Sequence, residues 1–338
     1  MSLDSCVDRA IALLADDIRA RFSADPLGVL RDDLGLIVTP VEHLAEARNG
    51  GGACDGMSFL QDQVILYAPT PQSRRENFTL AHEFGHWLVE RADGIYDWVA
   101  DQDEPGRVLE TICDRIAQRL LLPDEVVDQV VVAGPVRARH VLDLYAATQA
   151  SRPVCAIALA KRLPGLGAVA LINRDTRTVT HASVTPDPER GWPTVFPWPG
   201  QDLPDGHSLL TLPVAGTTTR RLQWRTQWGS QAYFYVDAIG EGKRIVAVFA
   251  GSDIWGIDRF PVNLDREFDS RPLLQVHCCG TRSSTRGYPC PKCQQPFCPH
   301  CGHCRCERQA MREVQCQGCF LQFQPHLVIN GLCQECRV

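Results

Sequence analysis

The sequence predicts an α+β protein of several domains: a helix-rich N-terminal core, a helical extension, an antiparallel β domain and a C-terminal zinc-finger region. Three observations carry that prediction. Apolar residues recur at three- and four-residue spacing through much of the first 166 positions, the pattern of amphipathic helices. From Gly167 the texture changes to short β-type runs separated by Gly, Pro and Asp. Twelve of the sixteen cysteines then crowd between Cys278 and Cys336, mostly as C-x-x-C pairs.

Taken in order, residues 4–22 read as one helix, and a second begins over 26–33. Residues 34–41 read as a short strand and 48–56 as a glycine-rich loop. Residues 57–70 read as a hairpin with Asp62 and Gln63 at its turn, a strand pair able to bind an extended chain through main-chain hydrogen bonds. Helical patterns recur over 125–134, 136–149 and 154–163. The β-type runs are 168–184, 207–212, 218–226, 231–240 and 243–251, and the aromatic-rich stretch 191–200 reads as a loop covering the sheet. These spans divide the chain into 1–125, 126–166, 167–268 and 274–338.

The chemistry concentrates at residues 79–87, which read H-E-x-x-H. On a helix, residues four apart share a face, so His82 and His86 can meet one metal ion. Glu83 is placed beside them as a base for water activated by that ion. Leu80, Phe84, Trp87 and Leu88 supply an apolar helical face, with Thr79 as a cap near its start. A zinc hydrolase site needs a third protein ligand and one open position. Leu109, Ile112, Cys113, Ile116 and Leu120 form an apolar stripe on a second helix ended by Pro123, and Glu110 and Asp114 lie beside that stripe. Glu110 is the expected third ligand, and Asp114, one turn on, the expected acceptor for the free ring nitrogen of a ligating histidine. The rival reading of both carboxylates is an ordinary solvated helix face. Tyr96 and His140 are candidates, by residue type, for a further donor to an oxyanion.

Residues 74–88 and 109–123 together resemble the IrrE/ImmA metallopeptidase family, whose members pair an H-E-x-G-H helix with a later E-x-x-A-D/N-x-F-A-x-x-L-L-x-P helix. Ile116 and Cys113 depart from the family's usual Phe and small residue, and neither departure removes a ligand. The resemblance implies a zincin-like core in which His82, His86 and Glu110 hold one catalytic zinc and Glu83 is the base. It implies a zinc endopeptidase whose protein substrate is a helix-turn-helix repressor or antitoxin, cut in a stress or defence response. It also makes the 126–166 block similar to a helix-turn-helix-like extension and offers a sensor-like role for the β domain.

The net charge of −6 gives no global case for nucleic-acid or membrane binding, and no stretch is apolar for long enough to span a bilayer. The acidic, amphipathic N-terminus does not read as a signal peptide, so a cytoplasmic location is expected. In that setting repeated C-x-x-C pairs argue for zinc rather than disulfides. Cys6, Cys54, Cys113 and Cys155 are scattered and read as small buried apolar residues.

Cys316, Cys319, Cys333 and Cys336 are spaced C-x2-C-x13-C-x2-C and are expected to hold one structural zinc. Upstream, an interleaved arrangement would give Cys290, Cys293, Cys304 and Cys306 one ion. His277, Cys278 or Cys279 with Cys298 and Cys301 would take another. A sequential pairing is the alternative, with His300 and His303 as further candidates, so two or three structural zinc ions are expected. Such a tail has few apolar residues, and metal binding must supply much of its folding energy. Its expected role is protein recognition, with nucleic-acid binding not favoured. A non-proteolytic regulator or scaffold that binds DNA or a protein through the tail is the rival to the peptidase.

Overall fold

The structure is a computed structural model and describes residues 1–42, 55–70, 73–132, 134–258, 269–311, 314–318, 322–323 and 328–337. Its centre is a pair of seventeen-residue helices, α4 (Arg75–Arg91) and α6 (Pro105–Leu121). Leu80, Phe84 and Leu88 of the first and Ile112, Cys113 and Ile116 of the second are fully buried between them and their neighbours. Trp87 lies at the edge of this interface, with the Arg91 guanidinium 3.7 Å over its ring. Between the two runs the short helix α5 (Ile95–Ala100), expected only as a polar link, inserts Ile95 and Val99 into the same core.

The N-terminal stretch is two helices rather than one, α1 (Leu3–Ile11) and α2 (Asp16–Phe22), separated by a turn. Each has its own start: Ser2 and Ser5 cap the first reciprocally, and Asp16 and Asp17 open the second, where their charge suits the helix dipole. A brief α3 (Pro26–Gly28) runs into a π-helical turn (Val29–Asp33). Asp4 meets Arg115 at 2.7 Å and Asp8 pairs with Arg119, so α1 lies along α6.

Thr79 does not cap α4. It is buried within the helix, and the start is instead held by Thr70, whose hydroxyl accepts from the Glu76 amide at 2.8 Å. The expected hairpin forms from β2 (Gly56–Phe59) and β3 (Val64–Tyr67). β1 (Ile37–Pro40) pairs in parallel with β3, giving the order β1-β3-β2 with β2 at an edge.

Helices α7 (Asp124–Val131), α8 (Ala138–Ala147) and α9 (Arg152–Ala160) follow; α7 packs on α8, and α8 and α9 pack onto a five-stranded antiparallel sheet. Its strands are β4 (Gly167–Asn173), β5 (Thr178–Thr185), β6 (Thr217–Arg225), β7 (Gln231–Glu241) and β8 (Arg244–Ala250), in the order β5-β4-β8-β7-β6. Side chains alternate across the strands. Val169, Leu171, Val246 and Val248 join the helical core, while Ala168, Ala170, Ala247 and Phe249 face the other way against Trp224 and Leu209. One apolar core therefore runs from α1 to the near face of the sheet. The run 207–212 is a turn rather than a strand. Leu210 bonds back to His207 at 2.8 Å, and Leu209 and Leu212 plug the far face.

A buried carboxylate ties helix to sheet. Asp237 of β7, 7% exposed, accepts from the Ala138 amide (2.8 Å), Arg137 Nη1 (2.9 Å) and Thr219 Oγ1 (2.8 Å). Arg152 of α9 makes a two-pronged pair with Glu241 nearby. Among the described residues no helix is long and apolar enough to cross a membrane.

Asp237→Ala strands three donors and leaves Arg137 without its anion. It is expected to cost about 1–3 kcal/mol, as for buried donors left without an acceptor, measured as a lower denaturant midpoint at unchanged slope.

Candidate metal centre

Gly85 is what lets the two central helices touch. A Cβ built on it would lie 3.1 Å from Cys113 Cα and 3.3 Å from the Cys113 carbonyl oxygen, against backbone that cannot swing aside. At that crossing α4 presents His82 and His86, and α6 presents Glu110 one turn before Cys113 reaches Gly85. The ligand atoms of these three residues all lie within 4.8 Å of one another. His86 Nε2 is 3.3 Å from His82 Nε2, and Glu110 reaches His82 Nε2 at 3.0 Å and His86 Nε2 at 3.5 Å.

The donor set fits zinc. Tetrahedral zinc with bonds of about 2.0–2.1 Å to nitrogen and oxygen separates its ligand atoms by about 3.3 Å. His82 Nδ1 faces Asp114 Oδ1 at 2.9 Å, and a proton on Nδ1 leaves the Nε2 lone pair aimed at the Glu110 carboxylate. Two acceptors brought together in this way call for a cation between them, whether a proton or a metal ion. Burial pulls the His82 pKa down, but the hydrogen bonds to Asp114 and Glu110 outweigh it and raise the value to about 10. Burial lowers that of His86, which favours the neutral ring a metal needs. The hydrogen bond from His82 draws the Glu110 carboxyl below its ordinary range.

Glu83 turns the other way, under the hairpin. It is 8% exposed, and β2 crosses directly above it, since a Cβ on Gly56 would fall 3.0 Å from Glu83 Oε1. Burial raises the Glu83 pKa, and hydrogen bonds from Ser58 partly offset that rise. Ser58 and Gly56 escaped the sequence reading, which had no means of bringing β2 over the helix. The H-E-x-x-H rule marks a base but not what holds it.

The cysteine tail gathers into interleaved sets. Cys278, Cys279, Cys298 and Cys301 converge in one, with three sulfur pairs at 3.9 Å, and Cys290, Cys293, Cys304 and Cys306 in another. Zinc–sulfur bonds of about 2.3 Å place tetrahedral thiolates about 3.8 Å apart, so the first set suits that ion. Both members of the Cys278–Cys279 pair take part, and His277 does not; it alternates to the exposed face of β9 (Leu273–Cys278). His300 instead packs edge-on against Trp192 at 4.7 Å, and His303 Nδ1 faces Glu307 at 3.7 Å. Cys316, Cys333 and Cys336 also converge, with Cys319 outside the described residues. Of the two oxyanion candidates, Tyr96 is exposed on α5, and His140 caps α8 by accepting from the Arg137 amide at 3.2 Å.

Residues 43–135 match the family model described as IrrE N-terminal-like domain, a span that holds both α4 and α6. That match and the two relatives below support the resemblance to the IrrE/ImmA family. It is 29% identical over 215 residues to the radiation response metalloprotease IrrE of Deinococcus deserti, covering 59% of this chain and 75% of that one. It is 28% identical over 113 residues to the IrrE of Deinococcus radiodurans, covering 32% of this chain and 34% of that relative. A solved Mycobacterium tuberculosis transcriptional regulator aligns with a TM-score of 0.40 and 14% identity, over 73% of this chain and 86% of that one, too distant to bear on fold or function. The family-model match ends at residue 135, before the five-stranded sheet and the tail begin.

Gly85→Val is expected to force the helices apart, lower stability by about 1–3 kcal/mol and lower the zinc content, read by thermal unfolding and elemental analysis. In Ser58→Ala, Glu83 loses the hydroxyl donor that favours its charged form and keeps only the backbone N–H, so its pKa rises further and it stays protonated to higher pH. The acid limb of kcat/KM is then expected at higher pH than in the parent protein.

Proposed function

We propose that this protein is a zinc-dependent endopeptidase centred on His82, His86 and Glu110. The observation that carries the reading is the convergence of these three donors, from two helices, at spacings that suit one tetrahedral ion. Bound zinc would supply Lewis-acid polarisation of the scissile carbonyl and of the attacking water. Glu83 takes the proton from that water and returns it to the departing amine; the buried carboxyl, with its raised pKa, suits both halves of the transfer. Asp114 holds the His82 ring by its Nδ1 side, leaving Nε2 for the ion.

β2 is the last strand of its three-stranded sheet, and it runs beside Glu83. An extended substrate pairs there as a further strand, which presents its backbone to the base in one register. The substrate class we propose is a helix-turn-helix repressor or antitoxin, cut in a stress or defence response. Its support is the family-model match over residues 43–135 and the similarity to metalloproteases. We read the two four-cysteine sets, and the third set completed by Cys319, as structural zinc sites, because four thiolates leave no position open for substrate.

Glu83→Gln is expected to keep its zinc and lose at least about 100-fold in cleavage of the helix-turn-helix repressor encoded beside its gene. Cleavage by that variant at the parent rate, scored by gel and mass spectrometry, removes Glu83 as the base.

A further inference from the structure

The helix that carries Glu110 and Asp114 begins at the cysteine tail. Arg107, one turn before Glu110, directs Nη2 at Cys279 Sγ from 2.6 Å. Glu104, just ahead of the helix, meets Arg308 Nε of the tail at 3.3 Å. Gly280 lies flat on the same surface with φ +65, and a Cβ there would fall 2.2 Å from Leu3 Cδ1 and 3.5 Å from Thr111 Cγ2. This part of the tail is built into the helical body rather than tethered beside it.

The chemistry of the contact matters. Four thiolates around one divalent ion leave a net charge of about −2. An arginine beside them makes a charge-assisted hydrogen bond to sulfur that lasts only while the sulfur is anionic. Positions 107, 110 and 114 are spaced i, i+3 and i+7 and so run along one side of α6. Whatever loosens its first turn reaches the Glu110 carboxylate next. Cys279 and Cys301 are only half-buried, open to a small oxidant.

We propose that the Cys278–Cys279–Cys298–Cys301 cluster is a peroxide-sensitive zinc site that sets, through Arg107, how tightly the His82–His86–Glu110 centre holds its own metal. Two thiolates in contact, Cys279 and Cys298 at 3.9 Å, give up two electrons and join through a new S–S bond. The O–O bond of hydrogen peroxide breaks, takes those two electrons with two protons, and leaves as two waters. The ion loses two ligands and departs, Arg107 loses its anion, and the first turn of α6 relaxes. The consequence for the second metal rests on the reading of that centre as a zinc site.

The test uses full-length zinc-loaded protein whose peptidase ion has been exchanged for Co2+. Ligand-field bands from a histidine–carboxylate site are told apart from thiolate charge-transfer bands of cobalt at cysteine. Hydrogen peroxide is expected to release zinc, followed with a chromogenic chelator, and to weaken cobalt binding at the histidine centre by about tenfold, the effect of losing support behind a metal ligand. Arg107→Ala keeps all four cysteines and is expected to show that weaker binding before oxidation, with no further change after it. Arg107→Lys, which keeps the charge, is expected to recover part of the affinity, and circular dichroism checks that each variant is folded. Zinc release with unchanged cobalt affinity, or parental affinity and oxidation response in Arg107→Ala, overturns the proposal. A cobalt signal that survives His82→Ala with His86→Ala instead removes the histidine centre itself, and the coupling with it.

Discussion

The structure depends on the contact between Gly85 and the backbone of Cys113. Two helices can share a metal only if their ligand-bearing faces come within the span of one coordination sphere. Ordinary helix packing, with interaxial distances of about 8–10 Å set by the side chains at the contact, leaves that spacing variable. Here a glycine on one helix sits against the other helix's main chain, and there is no side chain to act as a spacer. Cys113 and Ile116, fully buried beside the crossing, hold α6 in register. A change at Gly85 would thus be felt at Glu110 although the two side chains never meet.

What the sequence could convey follows from how local each feature is. His82 and His86 were readable because four-residue spacing on a helix is a property of the helix alone. Glu110 and Asp114 were readable as a spacing on a second helix, though their approach to the histidines is a tertiary fact. Thr79 was misplaced as a cap because a threonine at a helix start and one inside a helix look alike in sequence. Thr70, ahead of the helix, is the residue whose hydroxyl accepts from the first-turn Glu76 amide. The run 207–212 has strand composition, yet two flanking prolines and a hydrogen bond from Leu210 back to His207 make it a turn whose leucines serve as plugs. Ser58 had no local signal, since its role comes from the fold of the hairpin over α4. The interleaving of the tail was one of two arrangements open in sequence, and spacing alone had no bearing on whether His277 or Cys279 accompanied Cys278.

The core is less divided than the change of texture at Gly167 suggests. Strands β4, β7 and β8 turn one face into the apolar cluster that also holds α1, α4 and α6. Asp237 supplies the polar half of that junction by satisfying the first turn of α8 from within the sheet. Trp192, in the loop expected to cover the sheet, packs against His300 of the tail. The helical body and the near face of the sheet thus share one apolar cluster across the change of composition at Gly167.

The carboxylates around the two histidines have been sorted into different tasks by their surroundings. Glu110 and Asp114 face imidazole nitrogen, and the hydrogen bond from His82 keeps Glu110 ionised. Glu83, though next in sequence to His82, is turned beneath β2, where burial favours its protonated form and Ser58 restrains the rise. A carboxylate fixed as an anion serves as a ligand and is a poor proton carrier. One whose pKa is lifted toward neutrality can both accept a proton and release it. In the proposed reading the two roles are separated by the hairpin: without β2 overhead Glu83 would be solvated like any surface glutamate, and the proposed ligands would stay in place while the proposed base lost the raised pKa that suits it to proton transfer.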